Sequence, residues 1–289
     1  MEDRHLRLCW PNYVNGASIA GGSWESELPV TNVGTSVFAE VAQSRDTALA
    51  STRFTITLPR SRTLGVVALA NHNCSEAARW RVRTYYDAAG NDLAQDSGWR
   101  QVWPRVYASL ELPWEAPNFW SGAVSNDERD DFTSLATHWL ETKTYTRRVS
   151  IEIDDGGNPD GRIRIGRAFV ADVWMPDINI SYGVQYGHDI QTEFEVAGDT
   201  DMTEYADPKT PRRTVTCNLD WLSEEEAFAR VMAMQRRQGL HGEILYAESP
   251  KPSQSAFATT FLCRQTQVDA LANPYHATFT NTLSFREIL

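Results

Sequence analysis

The sequence predicts a mainly β protein with two domains, a β-sandwich over residues 1–178 and an α+β domain over residues 179–289. Three observations lead to this prediction. Many short segments before residue 178 alternate apolar and polar residues with period two, as strands with one buried face do. Nine of the ten tryptophans lie at or before Trp174, so the composition changes there. After that point one amphipathic helix stands among predicted strands, a pattern typical of α+β domains.

The clearest strand pattern lies between residues 147 and 174. Val149, Ile151 and Ile153 alternate with polar residues, and the following run, DDGGNPDG, consists almost wholly of turn formers. A second alternating run, RIRIG, comes next, and Gly166 indicates a bulge in it. These features predict a β-hairpin that closes the first domain.

Further strands are predicted on both sides of this hairpin. In the first domain they are Arg53–Leu58, Thr63–Ala70, whose continuous apolar run is typical of a buried central strand, and Arg79–Tyr86. In the second domain they are Thr214–Leu219, Glu243–Ala247, Ala256–Arg264 and Thr278–Phe285.

The helix is predicted over residues 223–238. Ser223 and Glu226 have the spacing of a capping box, in which each side chain bonds the backbone N–H of the other residue. Gly239 follows as a helix terminator. Three apolar residues share the face that we expect to be buried, Ala227, Val231 and Met234.

The composition makes several classes of partner improbable. The chain has 27 basic and 38 acidic residues, a formal charge of −11, which repels nucleic-acid phosphates. No segment approaches the ~18 apolar residues of a membrane span, and MEDRHLRLCW has no signal-peptide core, so we expect a soluble protein made in a cytoplasm. The four cysteines include no C-x-x-C pair, which favours buried thiols over zinc ligands or disulfides.

The sequence does not predict an enzyme or a bound cofactor. The six histidines are dispersed, and none adjoins a serine or cysteine in a nucleophile motif. Neither of the common glycine-rich phosphate loops is present. A glycan-active enzyme remains an alternative because two catalytic carboxylates can be far apart in sequence and converge only in the fold.

One acidic turn offers candidate metal ligands. Asp154, Asp155, Asn158 and Asp160 carry oxygen ligands at the short spacing that calcium loops use, without the full spacing of an EF-hand. Acidic, glycine-rich turns without a metal are more common, and we favour that interpretation.

A stripe of arginines runs along the predicted strand Arg79–Tyr86. Arg79, Arg81 and Arg83 could bind carboxylates or anionic sugars with paired hydrogen bonds. Alternatively they form a solvated sheet face with acidic neighbours on the adjacent strand, which is the interpretation that we favour.

Residues 98–122, here called the tryptophan segment, contain Trp99, Trp103, Trp114 and Trp120 together with three prolines. The prolines exclude one regular element. Exposed tryptophans would form a platform for sugars or for a protein partner, whereas buried ones would be the core of a large loop. We expect most of them to be buried and one or two to lie at a subunit contact.

Two passages resemble a known fold family. TLGVVALANHNCSEAARWRVRTYYDAAG resembles the middle of galactose-binding-like (discoidin-type) jelly rolls, and RRVSIEIDDGGNPDGRIRIGRAFVADVW resembles their closing hairpin. The resemblance implies a jelly roll for residues 1–178. No set of sugar-coordinating residues matches known members of that family.

The second half is similar to minor tail and distal-tail-like proteins of long-tailed bacteriophages. The similarity lies in RRTVTCNLDWLSEEEAFARVMAM, GLHGEILYAESP and TFTNTLSFREIL, which share the strand–helix–strand order of those proteins. It implies a structural component of a virion tail tip or baseplate, made in the cytoplasm of the bacterial host. Its partners would be other copies of itself in a ring and the tail tube, hub and tape-measure proteins.

The leading hypothesis from sequence is therefore a phage tail assembly protein that also takes part in host adsorption. The alternative is a non-catalytic carbohydrate-binding module that recognises bacterial surface glycans.

Overall fold

A computed structural model describes residues 4–108, 110–130, 132–197 and 203–289. It confirms a mainly β chain with antiparallel sheets and few helices. The strands are β1 Arg7–Cys9, β2 Ser18–Ala20, β3 Ala42–Gln43, β4 Phe54–His72, β5 Arg79–Tyr85, β6 Leu93–Asp96, β7 Arg100–Gln101, β8 Leu135–Asp154, β9 Arg164–Ala171, β10 Val173–Trp174, β11 Gln185–Asp189, β12 Glu193–Ala197, β13 Thr203–Asp207, β14 Arg212–Leu222, β15 Ile244–Ala247, β16 Phe261–Val268, β17 Ala272–Tyr275 and β18 Thr278–Glu287.

The helices are short, with one exception. They are a 3-10 helix at Val30–Gly34, α1 Leu49–Thr52, α2 Asn126–Asp130, a π-helical segment Glu226–Met232 that continues into α3 Ala233–Gln238, and α4 Gln254–Thr259. The continuous pair Glu226–Met232 and Ala233–Gln238 is called the π/α helix below. In the described ranges, no helix has both the length and the apolar character that crossing a membrane requires.

The chain divides into two compact units. The first unit consists of the chain up to Met175 together with Ile244–Phe261, and the second consists of Pro176–Glu243 and Leu262–Leu289. β15 and α4, which the sequence analysis assigns to the second domain, therefore belong to the first unit. Independent folding of residues 1–178 and 179–289 stays a prediction.

The main sheet of the first unit has the strand order β3-β9-β4-β8-β5-β6, with β2 also on β4 and β7 also on β5. The predicted hairpin is wrong in its pairing, since β8 and β9 lie on opposite sides of β4. The reason is that the apolar run of β4 supplies a central strand that is buried on both faces. β8 and β9 both run antiparallel to β4 and are therefore parallel to each other, and the acidic turn that joins them bonds to Asn73 and Ser75, which follow β4.

Gly166 in β9 is not a bulge, because the pairing of β9 with β4 is regular around it. A Cβ atom at Gly166 would lie 2.9 Å from the Cβ of Asn71 and 2.9 Å from the carbonyl oxygen of Phe38. The close approach of these neighbours, rather than a local kink, explains the glycine.

The two strands predicted at Arg53–Leu58 and Thr63–Ala70 form the single long strand β4. Its pairing with β8 shifts register between Thr57 and Arg62, across the proline of the sequence LPRS. Both parts of β4 bury apolar side chains in the core of the first unit, where Phe54, Ile56, Leu64 and Leu69 pack with residues of β5, β8 and β9.

The second unit has an antiparallel sheet with the order β16-β18-β14-β11, and β17 is also paired with β18. The predicted helix is confirmed as the π/α helix. Ser223 and Glu226 form the capping box, with Glu226 N donating to Ser223 Oγ at 3.3 Å and Ser223 N donating to Glu226 Oε2 at 3.2 Å. Ala227, Val231 and Met234 are fully buried, as expected.

The strand predicted at Ala256–Arg264 is partly wrong. Residues Gln254–Thr259 form α4, and β16 begins only at Phe261. Ser253 caps α4 by accepting a hydrogen bond from Ala256 N at 3.0 Å. This local cap overrides the β-favouring composition of the sequence that follows.

Candidate functional site

The base of the tryptophan segment is held by hydrogen bonds to buried groups. Asn118 is buried and donates its Nδ2 to the carbonyl oxygen of Ala123 at 2.7 Å, while Gly122 N donates to Asn118 O at 2.7 Å. Val106 N also donates to Gly122 O at 2.8 Å. These bonds hold the two ends of the turn Asn118–Ala123 together.

Trp103 anchors the segment in the core of the first unit. Its side chain is only 6% exposed, and its Nε1 donates a hydrogen bond to the carbonyl oxygen of Cys74 at 2.9 Å. The guanidinium of Arg129 lies 4.9 Å from the ring centroid, and the ring of Phe257 packs at 6.3 Å. Trp103 therefore belongs to the core, and it is not available to a ligand.

Trp114 and Trp120 point into solvent, with exposed fractions of 76% and 88%. The expectation that most of the four tryptophans are buried is therefore wrong. Trp120 packs edge-to-face against Phe119, with ring centroids 5.1 Å apart and planes at 85°. Trp114 directly follows Pro113, and Trp120 lies three residues after Pro117 in the same run of short turns.

Trp99 is also exposed, but less so, at 38%. The guanidinium of Arg79 lies 5.8 Å from its ring centroid. Of the four tryptophans, this leaves Trp114 and Trp120 as the open aromatic surfaces of the segment.

The arginine stripe is paired with carboxylates. Arg79 Nη2 of β5 lies 2.6 Å from Asp154 Oδ2 of β8, and Arg83 of β5 forms an ion pair with Glu152 of β8. Arg81 makes a two-pronged ion pair with Asp96. The hydrogen bond from Arg81 lowers the pKa of Asp96 below its usual value. This arrangement matches the sheet face with acidic neighbours, and an anionic ligand would have to displace these carboxylates.

The acidic turn is held by hydrogen bonds within the turn and to Asn73 and Ser75, which follow β4. Asp155 is buried and accepts from Ser75 N at 2.8 Å and from Asn158 Nδ2 at 2.8 Å. Asp160 accepts from Asn73 Nδ2 at 2.9 Å. Asp154 is paired with Arg79, as described. In the described part of the chain, no three side chains of histidine, cysteine, aspartate or glutamate converge in a way that would hold a metal.

Two buried histidines of the first unit are held neutral. Burial lowers the pKa of His72 to about 4, with the charge of Arg129 adding to the effect, and burial likewise lowers the pKa of His138 to about 4. His72 Nδ1 accepts a hydrogen bond from Cys74 N at 3.3 Å, so its proton lies on Nε2. Within the described residues, that Nε2 has no hydrogen-bond partner.

The first unit should therefore lose stability in acid. Unfolded histidine has a pKa near 6.5, so below that pH the unfolded chain binds protons that the folded chain excludes until about pH 4. The stabilisation is complete above pH 6.5 and falls as the pH decreases towards 4, by roughly 3 kcal/mol for each histidine. Urea unfolding at pH 7 and at pH 4.5 measures this loss.

His72→Gln should reduce the difference in unfolding free energy between pH 7 and pH 4.5, because the titrating group is gone. His276→Gln, which changes an exposed histidine, is the control. An unchanged difference in the His72 variant would show that this histidine does not govern the acid response.

The second unit exposes an apolar set that the sequence analysis does not identify. Its most exposed members in β11 to β13 are Tyr186, Ile190, Phe194, Val196 and Tyr205. The signal is present in the sequence, because Phe194 and Val196 alternate with glutamates as in a strand. This alternating segment is short and rich in acidic residues, so in the sequence it looks like a surface loop.

No model of a known protein family matches the sequence, and no curated protein matches it significantly. Among solved structures, part of the chain is similar to carbohydrate-binding modules. The lectin-binding domain of Lectinolysin complexed with Lewis b is 12% identical, with a TM-score of 0.37, and the match covers 56% of this chain and 96% of that chain.

Two further structures show a likeness of the same extent. A fucose-binding module of Streptococcus pneumoniae is 9% identical, with a TM-score of 0.36 and coverage of 56% of this chain and 94% of that chain. The family 32 module of NanJ from C. perfringens, in complex with galactose, is 9% identical, with a TM-score of 0.36 and coverage of 57% and 98%. At these identities and scores the likeness is distant.

Proposed function

We propose that the protein is a non-catalytic binding protein whose first unit holds a carbohydrate on Trp114 and Trp120. The observation that carries this proposal is the exposure of two tryptophan rings on a segment with a fixed base. Tryptophan combines a large, rigid apolar surface with a polar N–H group, which makes it common at binding surfaces.

A sugar fits these rings for a physical reason. The C–H groups on one face of a pyranose ring pack on the flat apolar indole, while the hydroxyl groups at its rim remain hydrated. The net charge of −11 disfavours polyanionic ligands, and the arginines near Trp99 are already paired with carboxylates. We therefore favour neutral glycans, such as those of a bacterial surface.

Trp120→Ala should weaken glycan binding roughly tenfold or more, because a central aromatic anchor typically contributes about 2 kcal/mol. The measurement is a screen of the wild-type protein on a glycan array, followed by titration calorimetry with the best ligand. Trp114→Ala should weaken the same binding, and by less if the sugar stacks mainly on Trp120.

The matched control is Tyr145→Ala, which removes an exposed aromatic side chain from β8. It should leave the affinity unchanged. If the wild-type protein binds no glycan on the array, or if Trp120→Ala and Tyr145→Ala bind equally well, the site is not on the tryptophan segment.

A second candidate function is that of a structural component of a phage tail tip or baseplate. It is favoured by the exposed apolar residues of the second unit, since large uncovered apolar surface is typical of subunit contacts. Light scattering of the purified chain, alone and with tail proteins encoded beside it, tests this function. A stable complex with those proteins would support it, and a chain that binds none of them would exclude it.

A further inference from the structure

Strands β12 and β13 of the second unit form a two-stranded sheet of their own. Glu193 is opposite Asp207, Phe194 is opposite Ala206, and the pairing is antiparallel and regular. In the described residues neither strand pairs with the sheet that contains β11 and β14. A lone two-stranded hairpin is at best marginally stable in water, so this one needs a surface to pack on.

The two faces of this hairpin differ in character. Directly opposed residues lie on the same face, so Phe194, Val196, Glu204 and Ala206 share one face. Phe194 is 64% exposed on this apolar face, and Val196 is also exposed. The other face carries Glu193, Glu195, Tyr205 and Asp207. β12 and β13 thus hold four carboxylates and no basic residue.

The outer side of the π/α helix has the complementary character. Phe228 and Met232 are exposed one turn apart, and Arg236 continues the same row. Phe228 is fixed by an edge-to-face contact with Phe279, with centroids 5.3 Å apart. Arg230 and Arg237 are exposed as well, and among the described residues these three arginines make no ion pair.

We propose that the β12–β13 hairpin of one copy of this chain docks on the π/α helix of a second copy. Phe194 and Val196 would cover Phe228 and Met232, while the hairpin carboxylates approach the helix arginines. The charge complementarity selects a second copy as the occupant, since an acidic, apolar arm and a basic, apolar face occur in the same chain. The contact is independent of the carbohydrate site.

The symmetry of such a contact follows from its parts. The two surfaces are different, so the interface is heterologous, and each copy has one arm to give and one helix face to receive. Such contacts form a closed ring when the rotation between copies closes, and an open filament when it does not. A dimer with one unfilled arm would be an intermediate.

Charge reversal gives a specific test in the full-length chain. Wild type should have the mass of several protomers by light scattering or analytical ultracentrifugation. Glu193→Arg/Glu195→Arg/Glu204→Arg leaves the arm with three arginines and one carboxylate, so a basic arm then meets a basic helix. Arg230→Glu/Arg236→Glu/Arg237→Glu makes the helix face acidic, so an acidic arm then meets an acidic helix. Each triple variant alone should therefore have the mass of one protomer.

Mixing the two triple variants should restore assembly, because each copy then meets a partner of opposite charge at both of its surfaces. Glu40→Arg, an exposed position of the first unit, is the control and should assemble like wild type. Phe194→Ser and Met232→Lys should each reduce the mass to one protomer, with an unchanged circular dichroism spectrum. Added salt should weaken the wild-type assembly, because it screens surface charges.

Three results would overturn the proposal. The first is a wild-type chain that remains a single protomer at all concentrations. The second is an assembly that both charge-reversed variants retain. The third is a mixture of those variants that stays monomeric although each is folded.

Discussion

Trp103→Ala should lower the free energy of unfolding of the first unit by about 3–5 kcal/mol, the range for truncating a large buried aromatic residue. The indole lies in the core, its N–H is bonded to the carbonyl oxygen of Cys74 at 2.9 Å, and the Arg129 guanidinium packs on its ring. Alanine would leave a cavity and an unpaired buried carbonyl group, and it would remove the surface on which Arg129 and Phe257 pack.

The matched control is Trp120→Ala, the same substitution in the same segment. Trp120 is 88% exposed, so its removal should change the unfolding free energy by no more than about 0.5 kcal/mol. Urea unfolding followed by circular dichroism measures both variants. Equal stability losses in the two would contradict the assignment of Trp103 to the core and Trp120 to the surface, and with it the proposed sugar site.

Glu287→Gln should destabilise the second unit by about 3–5 kcal/mol, the usual effect of removing one partner of a buried ion pair. Arg213 and Glu287 are both buried, and the pair is two-pronged, with Arg213 Nε donating to Glu287 Oε2 at 2.9 Å. The same Oε2 also accepts from the backbone N–H of Arg213 at 3.0 Å. Glutamine would remove the carboxylate charge of Glu287 from beside the buried Arg213 guanidinium.

The double variant Arg213→Met/Glu287→Leu separates the loss of charge from the loss of packing. Replacing a whole buried ion pair with apolar residues of similar volume is often neutral or stabilising. We therefore expect the double variant to be more stable than Glu287→Gln. Urea unfolding followed by circular dichroism compares the stabilities of the two variants. A double variant as unstable as the single one would mean that the pair serves packing rather than charge.

Features fixed by neighbours in sequence could be predicted from the sequence. The capping box of Ser223 and Glu226 and the terminator Gly239 locate the π/α helix, because each acts within a few residues. The inward faces of β5 and β14 follow from their period-two alternation. The π-helical pattern of Glu226–Met232 has no signal among these cues.

Pairing between distant segments could not be predicted in the same way. Two alternating segments joined by a turn look the same in sequence whether the two strands pair with each other or with a third strand between them. Only the fold shows that β4 lies between β8 and β9. Likewise, the return of Ile244–Phe261 to the first unit depends on the pairing of β15 with β1, in which Ala247 is opposite Arg7.

The candidate site shows the same division. The sequence identifies the tryptophan segment, but the prolines remove the periodicity that would tell a buried ring from an exposed one. Trp103 and Trp120 therefore look alike in sequence and differ completely in exposure. The sequence predicts that Arg79 and Arg83 have acidic partners on an adjacent strand. It does not predict that this strand is β8 or which carboxylate is opposite which arginine.

The discontinuous first unit has a consequence for biosynthesis. When Met175 has left the ribosomal exit tunnel, β1 can pair with β10. The other neighbour of β1, which is β15, has not yet been made. At roughly 5–20 residues per second, translation needs several more seconds to deliver β15 and then Phe257, which packs on Trp103. During that interval one edge of β1 is unpaired in the nascent first unit, and Trp103 lacks its contact with Phe257. We therefore expect the first unit to complete its fold later in translation than a domain that is continuous in sequence.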